Sequence, residues 1–222
     1  MLAGHYAAAL VTKRFAPKTS LGLGFVAAQL EDILWAAAIL IGLEHARLIP
    51  GFLPASPLDL YDFPWTHGLI PAIALSWFFY RVTKVPALGF CVFSHWILDL
   101  IAHVHDLPVL RHGPYLGLGL WRSQAATFLT ETGLLLFGLL LYMRATRAKS
   151  FAGRIALPAL VLALILADAA SVYGPPPPNM KVLAATGEIT YILLALLATW
   201  LDRFRLPLEP SSAQTRTASV TQ

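Results

Sequence analysis

Residues 94–106 read Ser-His-Trp-Ile-Leu-Asp-Leu-Ile-Ala-His-Val-His-Asp, and they continue an apolar run that begins near Pro86. Three ionisable side chains, His95, Asp99 and His103, recur every four residues in this run. At about 100° per residue, this spacing places them within an arc of roughly 80° on one helix face. Ionisable groups are costly in hydrocarbon, so this face predicts a site turned toward the interior of a helix bundle. A histidine and a carboxylate at i and i+4 can also bind one metal ion together.

The composition predicts a membrane protein. The chain has 222 residues, of which 57% are hydrophobic and only 13% are charged, and its mean hydropathy is +0.66. A soluble domain carries about 25% charged residues. The net charge of +4 comes from short basic clusters between apolar runs, so we expect no nucleic-acid partner. The single cysteine, Cys91, excludes an intrachain disulfide and argues against a thiolate metal site.

Six apolar runs have the length that a membrane span requires. They cover approximately residues 21–43, 64–82, 86–105, 124–144, 155–173 and 182–201. Residues 1–18 are too short to cross and show no cleavable signal, so we predict a short N-terminal helix that is interfacial or half-inserted. The prediction is an all-α, polytopic integral membrane protein, with a single membrane-embedded domain over residues 1–206 and a disordered tail over 207–222.

The basic residues assign the two sides of the membrane. If the N-terminus is cytoplasmic, 12 of the 16 Lys and Arg residues fall in cytoplasmic segments. The other 4 are Arg47, Arg111, Arg122 and Lys181. Under the positive-inside rule, this asymmetry predicts six spans with both termini in the cytoplasm.

Depth in the membrane indicates which polar side chains can meet. With a rise of about 1.5 Å per residue, Asp32 lies about 16 Å above the inner end of span one. By the same rise, His95 and Asp99 lie about 13 Å and about 19 Å up span three. His67 begins span two at the outer end, at the height of His103 or above. We therefore predict a site in the outer half of the membrane.

Other polar residues leave two interpretations open. His5 can reach the site only if residues 1–14 enter the bundle as a half-helix. For Glu131 in span four, a role in the site and a structural hydrogen bond between helices are equally compatible with the sequence. For Asp168 and Glu188 we favour a structural or interfacial role, because both lie toward the outer ends of their spans.

Several short motifs, taken together, resemble the YdjM-like membrane-bound metal-dependent hydrolases. They are Gly4-His5, Asp32, Thr66-His67, and Ser94-His95 with Asp99. The resemblance covers roughly residues 1–110. It implies a hydrolase activity and a divalent-metal site built from the five residues His5, Asp32, His67, His95 and Asp99. A weaker analogy connects this set to zinc-dependent phospholipase C sites.

The favoured function is an integral membrane metal-dependent hydrolase in a bacterial-type inner membrane. A Zn²⁺-like divalent ion would lower the pKa of a bound water to about 7, and Glu131 or His103 would act as the general base. A site in the outer half of the membrane favours a membrane lipid or a lipid-linked phosphoester as substrate. One alternative is a proton- or metal-linked transporter, because every span carries a polar group. Another is a non-catalytic membrane assembly protein.

Overall fold

The computed structural model describes residues 3–208, and most of them are helical. The helices are α1 (His5–Phe15), α2 (Leu21–Ala28), α3 (Leu30–Ile41), α4 (Pro64–His67), α5 (Leu69–Thr83), α6 (Pro86–Ala102), α7 (Gln124–Ala145), α8 (Phe151–Tyr173) and α9 (Met180–Asp202). Helices α7, α8 and α9 are each long and apolar enough to cross a membrane. The bent pair α2–α3 makes a fourth if it is one span, and α5 and α6 are shorter apolar helices. The chain is therefore a helical membrane protein, and the number of six spans stays a prediction.

The first predicted span is broken, so a continuous helix over residues 21–43 is wrong. Helix α2 ends at Ala28, α3 begins at Leu30, and their axes are bent by 55°. Gln29 between them has φ −112° and ψ 12°, outside the helical region. The carbonyl oxygen of Ala28 accepts a hydrogen bond from His95 Nδ1 at 2.8 Å. The helix therefore breaks directly after the residue whose carbonyl group binds His95 on α6.

The second and third predicted spans are also shorter than predicted, because the helix breaks after His67 in one and ends before His103 in the other. Gly68 is extended, with φ −68° and ψ 147°, and it separates α4 from α5 directly after His67. Helix α6 ends at Ala102, so His103 follows in an extended conformation with φ −63° and ψ 154°. The prediction that His95, Asp99 and His103 share one helix face is thus correct only for His95 and Asp99.

Helix α1 lies inside the bundle, where it packs against α2, α6 and α7. Tyr6 and Leu10 are fully buried in the main hydrophobic core. At the other end of the helix, Lys13 Nζ lies 2.7 Å from Asp202 Oδ2 in a partly buried ion pair. This burial among other helices is what a half-inserted segment requires, and the position of α1 relative to the membrane stays a prediction. His5 is thereby carried into the bundle interior.

Three short antiparallel strand pairs lie outside the helices, in segments for which the all-α prediction expects no strand. They are β1 (His45–Leu53) with β2 (Ser56–Asp62), β3 (Leu107–Pro108) with β4 (Tyr115–Leu116), and β5 (Thr146–Ala148) with β6 (Arg205–Pro207). The first pair forms a hairpin with Leu48 opposite Leu58. The predicted disordered tail begins at 207, but Pro207 ends strand β6. Residues 209–222 lie outside the described residues.

Close packing of α2 on α9 gives a first testable expectation. A Cβ atom at Gly22 would collide with the Ala195 carbonyl oxygen and with Thr199 Oγ1, whereas a Cβ at Gly133 in α7 would meet nothing within 4 Å. We expect Gly22→Ala to lower the free energy of unfolding by about 1–3 kcal/mol, because the backbones must separate. Gly133→Ala is the matched control and should leave the thermal unfolding temperature unchanged or raise it slightly. Equal unfolding temperatures for the two variants would contradict this helix packing.

Candidate metal centre

Four side chains from three helices meet around the carboxylate of Asp99. His95 Nε2 lies 3.3 Å from Asp99 Oδ2, and His67 Nε2 lies 3.6 Å from the same oxygen. Asp32 Oδ1 lies 3.3 Å from His67 Nε2 and 3.7 Å from His95 Nε2. Asp32 lies in the first turn of α3, and His67 is the last residue of α4. His95 and Asp99 lie one turn apart on α6. The breaks after Ala28 and His67 therefore bring distant parts of the chain to one point.

These separations match the edges of a metal coordination sphere. Zinc binds histidine nitrogen and carboxylate oxygen at about 2.0–2.1 Å, so two tetrahedral ligands lie about 3.3 Å apart. His67, His95 and Asp99 form one group of potential ligand atoms that all lie within 4.8 Å of one another. The buried His95 Nε2 has no hydrogen-bond partner in the described part of the chain. A buried nitrogen without a partner is costly, and a metal ion would satisfy it.

His5 is the fifth member of this cluster. Its Nε2 lies 3.2 Å from Asp99 Oδ1, and its ring stacks on the His95 ring with centroids 3.7 Å apart. His5, Asp32 and His95 form a second group of potential ligand atoms within 4.8 Å. The structure thus brings together all five residues of the predicted ligand set. The first residue of α1 reaches them because that helix is buried from its N-terminal end.

The hydrogen bonds of the histidine Nδ1 atoms direct Nε2 toward the carboxylates. His95 Nδ1 donates to the Ala28 carbonyl oxygen, because a carbonyl can only accept. Thr66 Oγ1 donates to Glu44 Oε2 at 2.6 Å, so it must accept from His67 Nδ1 at 2.9 Å. Both rings therefore present an Nε2 lone pair, which is the tautomer that a metal ligand needs. Since His95 offers a single nitrogen to both groups of ligand atoms, the geometry favours one ion rather than two.

Glu44 positions His67 through Thr66, and no sequence motif indicates this role. It is buried, and its Oε1 accepts the backbone N–H groups of Trp65 and Thr66 at 2.7 and 3.0 Å. Its Oε2 accepts a hydrogen bond from the Thr66 hydroxyl, and that hydroxyl contacts His67 Nδ1 and so orients the His67 ring. The contact joins residues on either side of the β1–β2 hairpin, so no local pattern around Glu44 predicts it.

We expect Glu44→Gln to weaken zinc binding about 10–100-fold, the usual effect of disturbing a group that orients a metal ligand. The amide nitrogen would donate to Thr66 Oγ1, whose own hydrogen would then turn toward His67 Nδ1. That reversal places the imidazole proton on Nε2, where it blocks the ion. Competition with a chromophoric chelator measures the affinity.

Asp62→Asn is the matched control, because Asp62 pairs with exposed His45 in the hairpin at 2.9 Å. Its zinc affinity should equal that of the wild type. An unchanged affinity in Glu44→Gln would show that the Glu44–Thr66–His67 chain does not orient the ligand.

His103 lies beside the cluster rather than in it. Its Nδ1 is 3.0 Å from Asp106 Oδ1, and its Nε2 is 3.8 Å from Asp99 Oδ2. The Trp121 ring packs against it with centroids 4.4 Å apart, and Gly119 donates a backbone hydrogen bond to its carbonyl oxygen. The Asp106 carboxylate holds the proton on Nδ1. His103 Nε2 is therefore a proton acceptor next to the candidate ligands.

Glu131 has a structural contact that the sequence does not indicate. Its Oε2 accepts the backbone N–H groups of Ala3 and Gly4 at 2.8 and 2.9 Å. These two residues immediately precede His5. Glu131 thereby fixes the position of His5, while its predicted role as general base stays a prediction.

A cavity of about 620 Å³ opens onto the cluster. Asp32, His67, Asp99 and His103 line one part of it. Most of the other lining residues are apolar, from the β1–β2 hairpin and from the proline-rich connection 174–177. The cavity therefore joins the candidate metal centre to an apolar region, a combination typical of ligand sites for amphiphilic molecules.

The chain matches no family model, no curated protein and no solved structure. The likeness of residues 1–110 to the YdjM-like hydrolases stays a prediction from the motifs. His67, Asp32 and His5 come from three separate segments, and their meeting with α6 is a structural result. Buried His and Asp side chains that can hold a metal ion are thus present, and the motifs and the geometry agree on the same five residues.

Proposed function

We propose that the chain is an integral membrane metal-dependent hydrolase of the YdjM-like type, with zinc as its ion. The observation that carries the proposal is the convergence of His5, Asp32, His67, His95 and Asp99 at ligand-to-ligand distances within a membrane protein. A bound zinc ion would supply a water of lowered pKa and polarise a phosphoryl or acyl oxygen.

His103 is the residue that we propose as general base. Its Nε2 faces the Asp99 end of the cavity, and Asp106 keeps the proton on Nδ1. Asp106 would also stabilise the charged ring after Nε2 takes a proton from water, as a carboxylate does for a catalytic histidine. Glu131 is less suited to this step, because one of its oxygens already accepts two backbone hydrogen bonds.

The substrate class that we propose is a lipid or a lipid-linked phosphoester. The apolar part of the cavity would bind an acyl or prenyl chain, while the ester group would lie beside the candidate metal ligands. Trp121 and Phe63 flank His103 and exclude water from one side of the reacting group.

The experiment is a hydrolysis screen with the purified full chain in neutral detergent, loaded with zinc. The panel contains phospholipids, lipid-linked pyrophosphates and chromogenic phosphodiesters. We expect turnover of a lipid substrate that falls at least about 100-fold in His103→Asn, since general bases contribute 10²–10⁴-fold. Zinc bound at one per chain without turnover of any member of the panel would overturn the hydrolase proposal and favour a transporter or an assembly protein.

The topology that we propose has six spans in a bacterial-type inner membrane, with both termini in the cytoplasm. Basic residues support it, because Lys13, Arg144, Lys149, Arg203 and Arg205 lie at the end of the bundle opposite the cavity. Cysteine labelling in intact cells tests it. The native Cys91 is buried and gives little background. An impermeant maleimide should label Asp59→Cys from outside and leave Lys149→Cys unlabelled, and the reverse pattern would invert the orientation.

A further inference from the structure

A second large groove lies on the helix bundle, separate from the candidate metal centre. It has a volume of about 690 Å³ and is formed mainly by α1, α6 and α7. Within the described residues 3–208, none of its lining residues also lines the cavity at the metal centre, and none is charged. Phe15, Phe90 and Phe137 are 73%, 74% and 55% exposed, so the groove opens to the outside of the bundle.

The sizes of the side chains explain why a groove forms here. Helix α1 packs against α6 and α7, and a Cβ atom at Gly138 of α7 would lie only 2.9 Å from the Ala7 carbonyl oxygen. On α1 the groove is lined by the short side chains of Ala7 and Ala8. On the other two helices it is lined by the long side chains of Phe90 and Phe137. Short side chains between longer ones leave a depression along α1 in which an apolar chain can lie.

The polar side chains of the groove already have hydrogen-bond acceptors. Thr12 Oγ1 donates to the Ala8 carbonyl oxygen at 2.9 Å, and Ser94 Oγ donates to the Cys91 carbonyl oxygen at 2.6 Å. Cys91 Sγ lies 3.7 Å from the Gly24 carbonyl oxygen. Because these donors are used inside the protein, the groove favours a hydrocarbon occupant over a polar one.

The directions of α1 and α6 define one end of the groove. His5 Nε2 at the start of α1 lies 3.2 Å from Asp99 Oδ1 near the end of α6. Further along α1, Thr12 contacts Cys91 in the first half of α6, so the two helices run in opposite directions. The last residue of α1 and the first residue of α6 both line the groove. The groove therefore ends where α1 ends and α6 begins.

Two basic residues belong to this end of the groove. Arg14 and Lys84 are each followed directly by a residue that lines it. Both side chains are exposed, and neither forms an ion pair in the part of the chain that the structure describes. An apolar groove with free positive charge at one end is complementary to a molecule that has a hydrocarbon chain and an anionic group.

We propose that this groove binds an anionic phospholipid, with an acyl chain along α1 and the phosphate group beside Arg14 and Lys84. Arginine and lysine both bind phosphate oxygens, and basic pockets between membrane helices select lipids with anionic head groups. A zwitterionic lipid carries its own ammonium group next to the phosphate, so it gains less from the two basic side chains. The proposal requires neither bound zinc nor hydrolase activity, because the groove and the metal centre share no lining residue in the described chain.

Native mass spectrometry of the purified full chain in neutral detergent, without added zinc, tests this site. The delipidated protein is mixed with equal amounts of phosphatidylglycerol and phosphatidylcholine that carry the same acyl chains. We expect the wild type to retain one lipid per chain and to prefer phosphatidylglycerol at least about 10-fold. The double variant Arg14→Gln, Lys84→Gln should lose this preference and retain phosphatidylglycerol only at the level of phosphatidylcholine.

Two further variants keep the test decisive. The matched control is the double variant Arg147→Gln, Arg154→Gln, which removes the same charge from exposed residues that do not line the groove. It should prefer phosphatidylglycerol as the wild type does. Ala8→Leu places a larger side chain in the groove and should lower the retained amount of both lipids, because it occupies the position of the acyl chain.

Equal retention of the two lipids by the wild type would overturn the proposal, and so would an unchanged preference in the Arg14 and Lys84 double variant. Loss of the preference in the control variant would show that net charge, rather than this site, selects the lipid. Unchanged retention in Ala8→Leu would mean that the lipid binds outside the groove. A dimer without lipid would show that a second copy of the chain covers the groove, and it would contradict the proposal equally.

Discussion

Asp99→Asn should reduce the zinc content of the purified protein from about one ion per chain to less than about a tenth. Asp99 is the shared member of the cluster, since its Oδ1 faces His5 and its Oδ2 faces His67 and His95. The amide keeps the size of the side chain but replaces one oxygen ligand with an N–H donor and removes the negative charge. Elemental analysis by mass spectrometry after equilibration with buffered zinc measures the ratio.

The matched control for this loss is Asp62→Asn, which makes the same chemical change in an exposed His–Asp pair of the hairpin. It should retain about one zinc per chain. Retention of stoichiometric zinc by Asp99→Asn would show that the ion binds elsewhere, and loss in both variants would point to a general folding defect.

Removing the ion from the wild type should lower its stability by about 3 kcal/mol. A ligand that binds only the folded state stabilises it by about 2.7 kcal/mol when its free concentration is 100 times its dissociation constant. Chelation would also remove the positive charge of the ion from beside the carboxylates of Asp99 and partly buried Asp32. Thermal unfolding followed by tryptophan fluorescence, with zinc or with a chelator, measures the shift.

Asp99→Asn provides the comparison for the stability experiment, because its unfolding temperature should not respond to zinc or to the chelator. Glu188→Gln should respond as the wild type does. A wild-type unfolding temperature that is the same with zinc and with chelator would mean that folding does not depend on ion binding at this cluster.

The spacing of polar residues predicts the centre of the site because α6 is regular there. His95 and Asp99 lie one turn apart, and a helix places such residues side by side. The presence of Asp32 and His67 in the site is predicted from their depth in the membrane, since helices of similar tilt bring residues of equal depth together. Confinement of polar groups to the bundle interior makes this type of prediction more reliable in a membrane than in water.

The rest of the site geometry depends on where the helices break, and the periodicity of apolar residues in the sequence does not show these breaks. Gln29 and Gly68 interrupt apolar runs that read as continuous spans, and both breaks lie next to ligands of the cluster. Glu44 acts across the hairpin, through a contact with Thr66 that is 22 residues away in the sequence. Such contacts depend on the three-dimensional path of the connection rather than on any local residue pattern.

The burial of α1 is likewise determined by tertiary packing. Residues 5–15 are too short to cross a membrane, and their sequence fits an interfacial helix as well as a buried one. The pair Lys13–Asp202 at one end and the contacts of Ala3 and Gly4 with Glu131 at the other end fix the helix inside the bundle. These partners come from α7 and α9, more than 120 residues away.

An anomalous difference map from zinc-loaded crystals, collected at the zinc absorption edge, tests the metal centre most directly. We expect one strong peak per chain, about 2.0–2.2 Å from His67 Nε2, His95 Nε2 and an oxygen of Asp99. Asp32 and His5 should lie around the same peak. A map with no peak among these side chains, or with its strongest peak at the exposed His45–Asp62 pair, would contradict the metal centre and the hydrolase function proposed from it.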